Sequence, residues 1–478
     1  MNKMKKVLTL ILATFLIVGL VGCGLKTSKE ESNTDPTEEI VEKTPEEVGE
    51  ELAETPQEEY AEENFRLVQE NWPHMDSIWP ELDYNNHNFL LFYNDGEKTP
   101  EGWVINAEKI EKLSEDVIKS LEIPQVRAYN QLEFEGKPSI AISFNDELMN
   151  PVDEGTGNFT YDLATHELIH FYHQEDLKSP EGNVESRAAS YPLDPTPRIY
   201  RGMVLKSLVD AYDNPEQRDE YLGIAKYWSN IWESEFPTEK ETIAATEVSE
   251  GAPRYIETLG EVANPDITTE VRDERIRIHL DYFLKEIPES RLDSEPYAIG
   301  AVSGLLLDEI NPDWKNDYFI NNKAPIDILL GNIEPLESKM DDEIKDSIEK
   351  NVNDKNTAVK PKFDAFDEIM NNKKVPVVIL NEEFANGAFI MEGSYNYKGY
   401  EITVETTGGF TVDGKPFNID KALMFYEAKP DSNITVGIIG DYSFEDSILK
   451  VDNEYLKCEI PATKTEDADG RIVFTMGK

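Results

Sequence analysis

Cysteine is almost missing from this chain. Two occur in 478 residues, Cys23 and Cys458, too few for a disulfide framework or a thiolate-rich zinc site. Histidine is scarce as well. Six residues do not make a metal-scavenging chain, which would carry many more. Basic residues are outnumbered, 46 against 96 acidic, for a formal net charge of -50. A phosphate backbone needs a basic surface, so nucleic acid is excluded as a partner. Long apolar runs are lacking too; Val7 to Val21 is the longest and is short for a spanning helix. No internal repeat occurs. What is present suffices for real cores, with 39% hydrophobic and 10% aromatic residues over a length that suits two or three domains.

The first residues form a pattern. Lys3, Lys5 and Lys6 precede the apolar run, which ends in Leu20-Val21-Gly22-Cys23. This resembles the lipobox of bacterial lipoproteins. The resemblance implies that residues 1–23 are a signal peptide. It also implies that Cys23 carries lipid and that the protein is anchored to the cell membrane, facing out of the cytoplasm. Cys458 is then left without a partner. Residues 24–62 are rich in Glu, Thr and Pro with almost no aromatics. Such a stretch cannot offset its ordering entropy, so a disordered acidic tether is expected.

The remainder reads as α+β. Residues 63–372 form a mixed α/β beginning followed by a mainly helical core; residues 373–478 form a small all-β domain, read as a sandwich. Strands are expected at 89–93 and 139–144, and a helix over Ala107–Leu121 from Ile110, Leu113, Val117 and Leu121. Trp72 and Trp79 are expected in the core. Helices follow at 161–174, 199–212, 215–235, 239–259, 271–287 and 297–309, and an acidic solvated one at 341–352.

The chemistry concentrates in His166-Glu167-Leu168-Ile169-His170 on an expected helix. Histidines at i and i+4 share one helix face, so both imidazoles reach one ion, with Glu167 turned to a metal-activated water. One Zn²⁺ is the implied cofactor. His173, a turn further on, is expected to pack beside the ligands. A third ligand is required. Asp176 stands where some such sites place it, but His173 occupies the Gly position that would turn it inward.

A later segment offers carboxylates: Glu247, then Ser249-Glu250-Gly251 and Tyr255-Ile256-Glu257. With Pro296-Tyr297-Ala298-Ile299-Gly300, in the order His-Glu-His, Glu, Tyr, the chain resembles the gluzincin metallopeptidases, especially their aminopeptidase-N-like branch. The resemblance covers three short patches between His166 and Gly300. It implies Glu250 as third ligand, Glu167 as general base and Tyr297 as oxyanion donor, acting on a peptide or protein substrate. Glu257 falls in the surrounding shell. The match has gaps. The stretch from His170 to Glu250 is long, and no Gly-x-Met-Glu-Asn segment precedes the zinc helix, so aminopeptidase activity is not implied. Pro253 is expected to kink or restart its helix, which leaves Glu250 and Glu247 unranked by periodicity. An extended substrate is expected beside strand 139–144. The rival reading is a non-catalytic surface lipoprotein that binds a cell-wall component or other ligand through its β domain, with a structural or vestigial zinc site.

Overall fold

The computed structural model describes residues 55–476 apart from 81, 97–98, 127, 150–157, 175–176, 178–188, 288–291, 293, 317, 322, 381–384, 392, 413 and 430–432, and apart from the side chains of 385–390. The signal peptide, Cys23, most of the tether and Asp176 lie outside the described residues. Helix is about 51% and strand about 25% of the described residues, segregated in sequence, so the fold is α+β.

The chain begins with α1 (Pro56–Asn71), capped by the Thr55 hydroxyl, which accepts from the Glu58 N–H. Its Tyr60 and Ala61 are buried. The expected tether is therefore corrected at its end: residues 56–62 are helical, because Tyr60 finds the core and its hydroxyl donates to Asn158 Oδ1 at 3.1 Å. Next come β1 (Asn88–Tyr93), β2 (Glu101–Ile105), β3 (Ile110–Lys112), α2 (Glu115–Ser120), β4 (Tyr129–Phe134), β5 (Lys137–Phe144), α3 (Asp146–Met149) and α4 (Phe159–Tyr172). The expected helix over 107–121 is instead β3 followed by α2. Asn106 Oδ1 accepts from the Glu108 and Lys109 N–H groups, turning the chain so that Ile110 pairs back onto Ile105. The helix-like spacing of apolar residues is shared between two short elements.

The five strands run in the order β3-β2-β1-β5-β4, with β1 parallel to β5 and the other pairs antiparallel. β1 is apolar throughout because both of its faces are covered. Phe89 and Leu91 enter the main core, whereas Leu90 and Phe92 pack with Ile118 of α2.

Beyond α4 lie β6 (Ala189–Ser190), α5 (Thr196–Asp213), α6 (Arg218–Glu235), α7 (Pro237–Gly260), α8 (Thr269–Glu286), α9 (Glu295–Ile310), α10 (Tyr318–Asn321), α11 (Pro325–Leu330) and α12 (Asp342–Asn371). Pro253 sits inside α7 without ending it. α7 and α9 touch backbone to backbone: a Cβ on Gly300 would lie 2.2 Å from the Gly251 Cα. A turn later Gly304 faces the Tyr255 ring in the same way. Trp72 and Trp79 are buried, Trp79 against Trp314 at 5.0 Å.

The C-terminal part contains β7 (Val377–Leu380), β8 (Ala385–Ile390), β9 (Gly393–Tyr397), β10 (Tyr400–Val412), β11 (Lys415–Glu427), β12 (Ile434–Gly437), β13 (Tyr442–Glu445), β14 (Ile448–Asp452), β15 (Leu456–Glu466) and β16 (Ile472–Met476). It is not a sandwich. Pairings β7–β12, β12–β11, β11–β15, β15–β16 and β16–β7 close a ring around Phe417, Met424, Ile460 and Phe474. Long strands permit this: β11 pairs β15 with its first half and β12 with its second.

α12 is much longer than its acidic first turns suggest. Its Ile348 and Val352 join the main core, while Phe363, Phe366 and Ile369 pack on Val377, Ile402 and Phe425 of the β part. The short β6 pairs with β9, so the expected boundary at 372 is bridged twice.

Gly300→Ala should destabilise the chain by about 1–3 kcal/mol, the usual range for an overpacked contact. Urea denaturation of the variant against the wild type measures this.

Candidate metal centre

α4 starts where the Asn158 side chain accepts from the Thr160 and Tyr161 N–H groups. It packs antiparallel on α7: the Tyr161 hydroxyl donates to the Gly260 carbonyl at one end, and His170 meets Glu250 at the other. Between them three ligand-type atoms converge. His166 Nε2 lies 3.1 Å from His170 Nε2 and 3.2 Å from Glu250 Oε2, and His170 Nε2 lies 3.0 Å from that same oxygen. Ligands about 2.0 Å from a tetrahedral zinc ion are separated by about 3.3 Å. The triangle is close to one face of that tetrahedron, and two imidazoles with one carboxylate form a donor set that suits zinc.

The outer nitrogens are held. His166 Nδ1 donates to Glu257 Oε2 at 3.0 Å, and Arg254 pairs with the other oxygen of Glu257. His170 Nδ1 donates to Gln174 Oε1 at 2.8 Å, and the Gln174 amide donates to the Ser249 carbonyl at 2.8 Å. With hydrogens on both Nδ1 atoms, the neutral rings turn bare Nε2 atoms toward Glu250. Burial pulls His166 down, but its bonds to Glu250 and Glu257 outweigh that and lift it to about 10. His170 is raised against burial by Glu250. Burial works the other way on the carboxylates and is again outweighed: His170 and His166 hold Glu250 well below its usual range. Arg254 and His166 bring Glu257 to about 2.

Glu167 is buried beside the triad. Its carboxyl is raised, first by burial; the two imidazoles oppose the shift, Glu250 adds to it, and a hydrogen bond from Tyr129 opposes it. Tyr129 opens β4, and its ring meets Phe171 edge-on at 5.7 Å. The Tyr297 ring lies nearly parallel to His166, 5.8 Å between centroids. The Gly251–Gly300 contact brings it there, since Tyr297 is one turn before Gly300 on α9. Gly251 thus admits a helix, not the ion itself.

Other expected residues fall elsewhere. Glu247, one turn before Glu250, is 2% exposed and bound to Arg201 at 2.8 Å and Lys240 at 3.1 Å. It faces α5 rather than the histidines. His173 ends α4 and packs against Tyr84 and His87, with Nε2 buried and unpartnered. Burial lowers it to about 4. Asp176 is outside the described residues. Tyr129, Gln174 and Arg254 were not singled out in sequence. Gln174 had a signal, four residues after His170 and so on the same helix face; Tyr129 had none.

Compared with models of known protein families, with curated proteins and with solved structures, the chain has no match.

Glu250→Ala should lose zinc while keeping its fold. Glu247→Ala should keep one equivalent of zinc yet lose about 3–5 kcal/mol of stability, because buried Arg201 keeps Glu295 as a partner but loses Glu247, and Lys240 loses it too. Metal analysis and thermal melting of the two variants separate these outcomes. His166, lifted to about 10, carries at pH 7 a proton that zinc must displace. Zinc uptake should therefore release protons, and affinity should weaken as pH falls. Calorimetry in two buffers of different ionisation enthalpy counts them.

Proposed function

We propose that this chain is a zinc-dependent peptidase held outside the cytoplasm by lipid on Cys23. One observation carries the reading: Glu167 is buried next to the His166–His170–Glu250 triangle, a carboxylate that is not itself needed to complete it. His166, His170 and Glu250 would hold the ion, which when bound lowers the pKa of water toward about 7 and polarises a carbonyl. Glu167 takes the proton of the attacking water and hands it to the leaving amine. Burial and the Glu250 charge keep its carboxyl above the ordinary range, toward the affinity a proton shuttle needs. Tyr129 donates a hydrogen bond to that carboxylate from the start of β4. Tyr297, against the His166 ring, donates to the oxyanion.

The expected place of the substrate is corrected. β5 has no free edge, because β1 pairs with one side and β4 with the other. β4 is the sheet's outer strand and begins at Tyr129, beside Glu167. An extended peptide adds to β4, its backbone pairing with groups that no strand among the described residues satisfies. Among the described residues no helix is long and apolar enough to cross a membrane.

Glu167→Gln should retain zinc and slow cleavage of an unfolded protein substrate by about 10²–10⁴-fold. Tyr297→Phe should lower kcat by about 10²–10³-fold with little change in KM. Chelator-sensitive cleavage by the wild type is the reference for both. Bound zinc without cleavage across a broad substrate panel would favour the non-catalytic lipoprotein instead.

A further inference from the structure

Pro253 lies in the interior of α7, where proline removes one hydrogen bond of the helical ladder. The carbonyl deprived of its donor is that of the residue four positions back, Ser249. That carbonyl accepts instead from the Gln174 side-chain amide, at 2.8 Å. A carbonyl oxygen can only accept, so the NH₂ end of Gln174 must face it. The Oε1 end is then committed to His170 Nδ1, also at 2.8 Å. Because Oε1 can only accept, Nδ1 must carry the hydrogen, and the neutral ring keeps its lone pair on Nε2. That nitrogen is the one 3.0 Å from Glu250. Each step follows from the donor or acceptor character of the group before it.

Gln174 is 9% exposed, so water does not readily replace either bond. The same link joins α4 to α7 beside Glu250, which follows Ser249 in the chain. Were α7 an unbroken ladder, the Ser249 carbonyl would already hold an in-helix N–H. The amide of Gln174 would then share that oxygen with the helix and hold the tautomer of His170 less firmly.

The geometry points to Pro253 and Gln174 as a positioning pair: the proline reserves the Ser249 carbonyl for Gln174, and Gln174 in turn aims His170 Nε2 at the metal position. This rests on the zinc reading of the triad. The pair touches neither substrate nor ion, and it acts through His170.

The test is zinc affinity, measured by competition with a chromophoric chelator, together with thermal melting of the metal-free chains. Gln174→Leu should weaken zinc by about 10- to 100-fold, the usual cost of losing such a partner. Pro253→Ala restores an N–H at position 253. It should weaken zinc by roughly three- to tenfold, less because the carbonyl keeps a second lone pair. Its melting temperature should not fall, since alanine suits a helix interior better than proline. The double variant should match Gln174→Leu within about twofold, because both changes break one link. A purely structural proline would lower stability and leave affinity alone. Wild-type affinity in Pro253→Ala, or losses that multiply in the double variant, overturns the pairing while leaving the metal site intact. A wild-type chain that takes no zinc overturns the metal reading and this inference together.

Discussion

Buried negative charge is the constraint on which this structure depends. Besides Glu167, four carboxyl groups, on Asp162, Glu250, Glu257 and Glu261, line the seam where α4 and α7 run antiparallel. An unpaired buried carboxylate is too costly to persist, so each needs a counter-charge or a proton. Arg254 and His166 serve Glu257, and His170 with His166 serve Glu250. Glu261 is held low, against burial, with help from His279 and from Asp162. Asp162 is held well above its usual range by burial and by the nearby Glu261. The histidines of the site are thus part of a charge balance that runs the length of the seam. At its outer end that balance is carried by the imidazoles of His166 and His170 against Glu250.

A second contact sets the shape. Two glycines let α9 reach α7 at backbone distance, and this places Tyr297 over His166. The motif residues were legible in sequence because their spacing alone puts them on one helix face: His166, Glu167 and His170 needed no tertiary information. Choosing between Glu247 and Glu250 did. Three residues apart on a helix, they point only about 60° from one another. The choice falls to α5, which supplies Arg201 to one, and to α4, which supplies imidazoles to the other. Tyr129 was invisible for a related reason. It comes from a sheet edge far away in sequence, and nothing local marks it.

The fold was legible in proportion to how local its causes are. The long helices from α4 to α9 stood out because apolar periodicity persists over many turns. The stretch 107–121 misled because one period was shared by a strand and a short helix, with Asn106 making the turn between them. The C-terminal strands were recognisable one by one, but their closure into a ring was not. It depends on β11 and β15 each changing partner part-way along, which alternation of apolar residues does not record.

α12 has a further consequence. Its thirty residues span about 45 Å. One half is core to the helical part, and the other half is core to the β part. A helix owned by two cores cannot be cut out with either. No single cleavage of the chain separates two self-sufficient pieces, and β6, reaching across from the other side, adds a second tie. The two parts are bound to melt as coupled units. A lineage could not have exchanged the β part for another module by simple recombination at a linker, because the connecting segment is itself a wall of both interiors.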